Sequence, residues 1–158
     1  MNWKSRLEGW GLDNLKLKTG FLEADFSMKD GDKEAAWKLY VELLTRITTQ
    51  ALPTGSGDEE TALDSIYSLF ETTRQILKEQ GQECVQFTKL AVIVLNQIVR
   101  PFTAKWHPKM LDGDLKDEQE CLVFRKELAS LQEELGKYTR ALADLAGVED
   151  LTDLEDVE

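Results

Sequence analysis

The stretch Cys84–Pro108, CVQFTKLAVIVLNQIVRPFTAKWHP, decides how this chain folds. Its first half holds the most apolar run of the sequence, Leu90-Ala91-Val92-Ile93-Val94-Leu95. A helix that is apolar on every side is expected to be buried on every side, with the rest of the chain wrapped round it. Its second half is different in kind: Arg100-Pro101-Phe102-Thr103-Ala104-Lys105-Trp106-His107-Pro108 alternates cations, aromatics and prolines. A proline disfavours helical dihedrals in the residue before it, here Arg100 and His107. Pro101 also suits the first turn of a new helix. The helix therefore either kinks at Arg100 or stops there and restarts as a short helix, PFTAKWH. The second outcome is the preferred expectation.

Working outward, the segment before this stretch reads as a helix over 57–80. Ser56-x-x-Glu59 forms a capping box, and Leu63, Ile66, Phe70, Thr73 and Leu77 follow a three-four rhythm with Tyr67 alongside. Gly81 supplies a C-cap, so the link to the central helix is very short and the two are expected to be antiparallel neighbours. A further helix is expected over 28–50, opened by Ser27-x-x-Asp30. Its apolar stripe is Ala36, Tyr40, Leu43 and Ile47, flanked by Trp37, Val41 and Leu44. It ends before Leu52-Pro53, and 51–57 is a loop.

On the other side, the spacing predicts a helix over 117–146. Asp117 caps it, and Cys121, Phe124, Leu128, Leu131, Leu135, Tyr138, Leu142 and Leu145 recur at alternating steps of three and four, the period of a bundle seam. Gly147 ends it. Residues 1–26 read as an arm: Trp3, Leu7 and Trp10 suggest a short amphipathic helix, and Leu15-Lys16-Leu17-Lys18 alternates like a short strand. Residues 148–158 form a tail that carries six of the thirty acids.

The expected fold is all-α: an antiparallel up-down four-helix bundle over 27–147, its third helix spanning 83–107 and broken near 100, with the arm of 1–26 and the acidic tail of 148–158 attached. Composition agrees. The 158 residues suit one domain, 42% are hydrophobic, and 3 Pro with 10 Gly favour long helices over many turns. Cys84 and Cys121 lack the spacing of a zinc site and are expected at opposite ends of antiparallel helices, too far apart for a disulfide. Cys121 occupies a core position in the stripe. The first ten residues carry no apolar run of signal-peptide length, and Asn96 and Gln97 cut the apolar window well short of the ~20 residues of a membrane span. A cytoplasmic protein that does not enter the membrane is expected.

The formal net charge of -11 argues against binding nucleic acid over the whole surface. The chemistry-bearing patterns of common enzymes are missing. There is one histidine, no Glu-x-x-His pair and no phosphate-cradling or nucleophile-elbow motif. No catalytic residue, metal ligand or cofactor is assigned. The densest cationic cluster is Arg100, Lys105, Trp106, His107 and Lys109, with Asn96 one turn before Arg100. These six residues are the candidate site for a ligand or partner. In the plain reading they close the end of the bundle. In the functional one, the amides freed by a helix break and the cations beside them hold an anion. A second candidate is the tail, where Leu151, Leu154, Asp153 and Glu155 form an acidic amphipathic docking segment.

The segment Leu95–His107, LNQIVRPFTAKWH, resembles part of uncharacterised bacterial helical proteins associated with prokaryotic conflict and antiphage gene clusters, in which small helical subunits accompany effectors. The likeness covers thirteen of the 158 residues. It implies an accessory or adaptor role and transfers no catalytic residue. The expectation is thus a non-enzymatic protein-interaction or accessory subunit with a protein partner, or a homo-oligomer. The alternative is a sensor of an anionic ligand or nucleotide at the Arg100–His107 cap.

Overall fold

The structure is a computed structural model that describes residues 1–46 and 58–155. The fold is all-α. Among the described residues no strand forms, and the sole bridge pairs Asn2 with Asp25 in the arm. The helices are α1 (Trp3–Gly9), α2 (Thr19–Glu23), α3 (Asp30–Leu44), α4 (Glu59–Tyr67), α5 (Leu69–Gln80), α6 (Val85–Val94), α7 (Arg100–Leu111) and α8 (Glu118–Ala146).

The expected third helix departs most from the sequence reading. It neither stops nor restarts near residue 100. Leu95–Val99 is a wide π-turn joining α6 to α7, in which the Arg100 amide reaches back five residues to the Leu95 carbonyl. Proline within an α-helix lacks an N–H and its ring strikes the carbonyl four residues back. The wider turn ahead of Pro101 relieves that collision, so Arg100 keeps helical dihedrals (φ -59°, ψ -42°). Pro108 also lies inside α7, which runs on to Leu111.

The expectation of burial on all sides fails as well. Phe87, Leu90, Ala91 and Val94 are buried, but Val85 and Val92 are 47% and 45% exposed. One face of the most apolar helix is open, because no element of the described chain crosses it except the edge of α2 through Phe21.

Other boundaries moved for identifiable reasons. Ser27 does not cap α3, and the helix starts at Asp30, not 28. The carboxylate of Asp32, buried in the first turn, accepts the Lys29 amide (2.9 Å) with one oxygen and the Phe87 amide (2.9 Å) with the other. One acid thus caps α3 and ties it to α6. Gly31 permits this approach, since a Cβ there would stand 2.4 Å from the Glu83 carbonyl oxygen. The helix ends at Leu44 rather than near 50, and Ile47 lies outside the described residues. Arg46, just beyond, bonds Glu42, Ser68 and Thr72. The expected helix 57–80 is divided at Ser68, whose hydroxyl donates to the Ser65 carbonyl (2.7 Å). Ser56 lies outside the described residues; Asp58 caps α4 by accepting the Glu60 and Thr61 amides. At Gly81 a φ of 63° ends α5 as expected.

Helix α8 follows its reading closely. Asp117 caps it and Gly147 ends it. Phe124, Leu128, Leu131, Leu135, Tyr138, Leu142 and Leu145 are all buried. Cys121 is the exception: it is only half-buried, with its thiol donating to the Leu115 carbonyl (3.0 Å). Burial, then the nearby Glu59 carboxylate, push that thiol up from its usual pKa. Both cysteines are free.

The arm crosses the C-terminal part of α8. Trp3 packs between Phe21 (4.9 Å between centroids) and Phe26 (4.6 Å), and the Trp10 indole donates to Asp144 (2.9 Å). Residues 15–18 form no strand. Instead, Gln97 brackets Lys16: the Lys16 amide donates to Gln97 Oε1 (2.8 Å) and Gln97 Nε2 donates to the Lys16 carbonyl (2.9 Å). A side chain thus takes the place of a neighbouring strand. No helix among the described residues is long and apolar enough to cross a membrane.

Candidate functional site

Helix α7 runs antiparallel to α8. Lys105 faces Glu127, and one turn on, Lys109 faces Glu120 seven residues earlier. The aromatic joint between the two helices is Phe102, Trp106 and Phe124, with centroids 5.4 Å and 5.2 Å from the Phe124 ring. Trp106 is fully buried. Its position in α7, one turn after Phe102, puts both rings on the face turned to α8.

The six candidate residues do not act as one group. Glu127 receives two of them: Lys105 Nζ at 2.5 Å on one oxygen and Trp106 Nε1 at 2.6 Å on the other. Lys109 bonds Glu120 (3.0 Å) and stands 3.8 Å from Asp114. The hydrogen bond to Glu120 raises the Lys109 pKa above its ordinary value. Both ammonium groups sit beside the Trp106 ring, 5.1 and 5.4 Å from its centroid. Arg100 points the other way. Its guanidinium lies 4.5 Å above the Phe70 ring and its Nε donates to Asn96 Oδ1 (3.2 Å). His107 stacks on Tyr67 at 5.0 Å. The π-turn keeps the chain helical through Pro101, so no broken helix end presents free amides here. The cap therefore divides into a part that ties α7 to α8 through acids and a part that ties it to α4 and α5 through rings.

Reading along the chain did not identify these acids. Glu120 and Glu127 are seven apart on α8, a spacing that puts them on one face, opposite the four-residue step of Lys105 and Lys109. Gln97 and Asp32 left no comparable trace. Their roles depend on which backbone lies opposite.

The tail is seated on its own chain. The Tyr40 hydroxyl accepts the Leu151 amide (2.7 Å) and is 3.5 Å from both the Glu149 carbonyl and the Asp150 carboxylate. Burial is the main cause that raises the Tyr40 pKa. Asp150 also receives the Thr152 amide and hydroxyl. Asp153 pairs with Arg140 (3.6 Å), and Leu154 is 74% exposed. The backbone of Glu155 closes the last short turn, Thr152–Glu155.

Two depressions lie among the described residues. One, of about 660 Å³, follows the open face of α6 and is lined by Val85, Thr88, Lys89, Val92 and Ile93 together with Phe21. The larger, of about 1050 Å³, lies between the arm, the π-turn and α8. Lys105, Trp106 and Glu127 form part of its wall. Among the described residues no three His, Cys, Asp or Glu side chains are placed to hold a metal ion. No protein-family model, curated protein or solved structure matches the chain.

Proposed function

We propose that this chain is a non-enzymatic helical subunit that works by holding another protein, as an accessory component of a bacterial conflict or defence system acting in the cytoplasm. Its scaffold is read as an up-down bundle of four legs, α3, α4–α5, α6–α7 and α8. The observation that carries the reading is the open face of α6. Apolar side chains left uncovered on a continuous helix face are a usual mark of an interaction surface. Val85 and Val92 stand two turns apart, the spacing at which a partner helix sets its own anchors. Among the described residues that line the groove, Lys89 is the one charged side chain, and no acid joins it. The occupant is thus an amphipathic helix of another protein, with apolar anchors and a carboxylate that meets Lys89. The tail residues Leu151, Asp153, Leu154 and Glu155 offer a second contact, chiefly through exposed Leu154.

The test is affinity purification from the native host with the wild-type chain and with Val85→Asp/Val92→Asp. Both positions are exposed, so the variant should fold. The expected result is a defined partner retained by the wild type and lost by the variant. A partner set indifferent to the substitution defeats the reading. Self-association lost in the same variant assigns the groove to a second copy instead.

The second reading is a sensor of an anionic ligand or nucleotide at the cap of Asn96, Arg100, Lys105, Trp106, His107 and Lys109. It draws support from the larger cleft, into whose wall Lys105 and Trp106 are built.

A further inference from the structure

We propose that the cleft between the arm, the π-turn and α8 binds a small amphipathic anion, a molecule with a flat apolar body and one acidic group. The inference rests on the second reading above and moves its site from the cap to the cleft. Size is the first argument. At about 1050 Å³ the space stands at the upper end of what ligand pockets offer, a few hundred to roughly 1,000 Å³. Its lining is the second. Leu15, Ile98, Phe102 and Leu131 supply an apolar floor drawn from four separate segments. Such a floor suits a ring or a short hydrocarbon body.

Charge is the third argument, and it fixes the sign of the head group. The chain carries -11, yet Lys16, Lys105 and Lys126 line the cleft against Glu127 and Glu134. Glu127 holds Lys105 and Trp106, and one oxygen of Glu134 accepts from Lys137 at 2.9 Å while its Oε2 is buried without a hydrogen-bond partner. The side chains of Lys16 and Lys126 are exposed and form no ion pair with an acid of the described chain. Three lysines against two carboxylates leave the lining with one excess positive charge, and an anion is favoured at the end where Lys16 and Lys126 stand. Glu134 is eight residues from Lys126 along α8, about 12 Å at 1.5 Å per residue, so it does not stand directly against an anion bound at Lys126.

The π-turn is part of the construction. Turns of this kind widen a helix locally and re-aim its side chains. Here the turn carries Ile98 into the cleft and Gln97 toward the arm. Gln97 then pins the Lys16 backbone from both sides and so sets the arm as the cleft's outer wall. Without the widened turn, neither the wall nor the floor has its present place.

The probe is 8-anilinonaphthalene-1-sulfonate, an aromatic body with one anionic group, titrated by fluorescence into the full chain well below its melting temperature. The expected result is saturable binding to one site. Lys16→Glu/Lys126→Glu should weaken it about tenfold, and Ser130→Trp, which places an indole at the exposed rim, should abolish it. The neutral N-phenyl-1-naphthylamine should bind about tenfold more weakly than the sulfonate. Circular dichroism confirms that each variant is folded, and the lysine variant decides the matter if Ser130→Trp is not. Absence of saturable binding overturns the proposal, as does equal affinity for the neutral probe. Loss of binding in Val92→Asp, with the cleft variants unaffected, moves the site to the α6 groove and also overturns it. Loss in Arg100→Ala/His107→Ala alone leaves the anion-sensor reading standing at the cap while the cleft fails.

Discussion

The two halves of the central helical stretch were built on opposite principles. Seven of the ten residues of helix α6 are apolar, yet it leaves Val85 and Val92 in solvent. Helix α7 carries three cations and a histidine, yet it buries Phe102 and Trp106 against α8. Apolarity measures what a segment gains from cover. Whether cover arrives depends on the neighbours the chain can place beside it. α8 covers α7, aided by Glu120 and Glu127, whereas the outer side of α6 has only the rim of α2.

The comparison breaks first at Trp106. Trp106→Ala removes a fully buried indole and strips Glu127 of one donor, so a loss of about 3–5 kcal/mol is expected in denaturant unfolding. A loss under about 1 kcal/mol shows that the α7–α8 joint does not depend on it. Next is the tie that holds α6 from its inner side. Asp32→Ala leaves the Phe87 amide buried without an acceptor and should cost roughly 2–3 kcal/mol by the same measurement.

A third substitution should stabilise. The Tyr138 hydroxyl is buried in α8 with no hydrogen-bond partner. Removing such a group in Tyr138→Phe should raise stability by about 1 kcal/mol, read as a higher Tm. Burial pushes this phenol far above its ordinary pKa of 10.0. The folded state therefore keeps the proton that the unfolded state releases, and the wild type should lose stability as pH rises past 10, across the interval up to the folded value. Tyr138→Phe should flatten that decline, and an unchanged alkaline limb speaks against the burial. The ion pair on α7 comes fourth. Lys105 and Glu127 are both partly exposed, and Lys105→Ala should cost about 1 kcal/mol or less. The smallest effect belongs to the open face. Val92→Ser should change stability by no more than about 0.5 kcal/mol. A larger loss shows that the face is covered in solution by a second copy.

Much of this was legible in the residues themselves. The stripe from Phe124 to Leu145, the caps at Asp117, Gly81 and Gly147, and the all-helical class follow from local periodicity and backbone preference, which act over a few residues. The same logic misplaced the boundary near Arg100. A proline rule describes an isolated α-turn, and the chain had a π-turn available in which that rule does not bind. It also misplaced Ser27 and the strand at Leu15–Lys18. Asp32 took the cap by accepting the Lys29 amide three residues back while also holding the Phe87 amide 55 residues away, and Gln97 took the strand's place by reaching a backbone 81 residues away.

The candidate site divides along the same line. That Arg100, Lys105, Trp106, His107 and Lys109 form an unusual cluster was visible in one dimension. That Lys105 and Lys109 spend their charge on α8 acids, that Arg100 and His107 rest on aromatic rings, and that Lys105 joins Lys16 and Lys126 around one cleft was not. By itself the sequence determined that the chain is all-helical and where the stripe of α8 lies, because those depend on neighbours three and four residues apart. Only the tertiary structure decided which greasy face stays open and which cations are spoken for, because both are set by what distant segments bring opposite them.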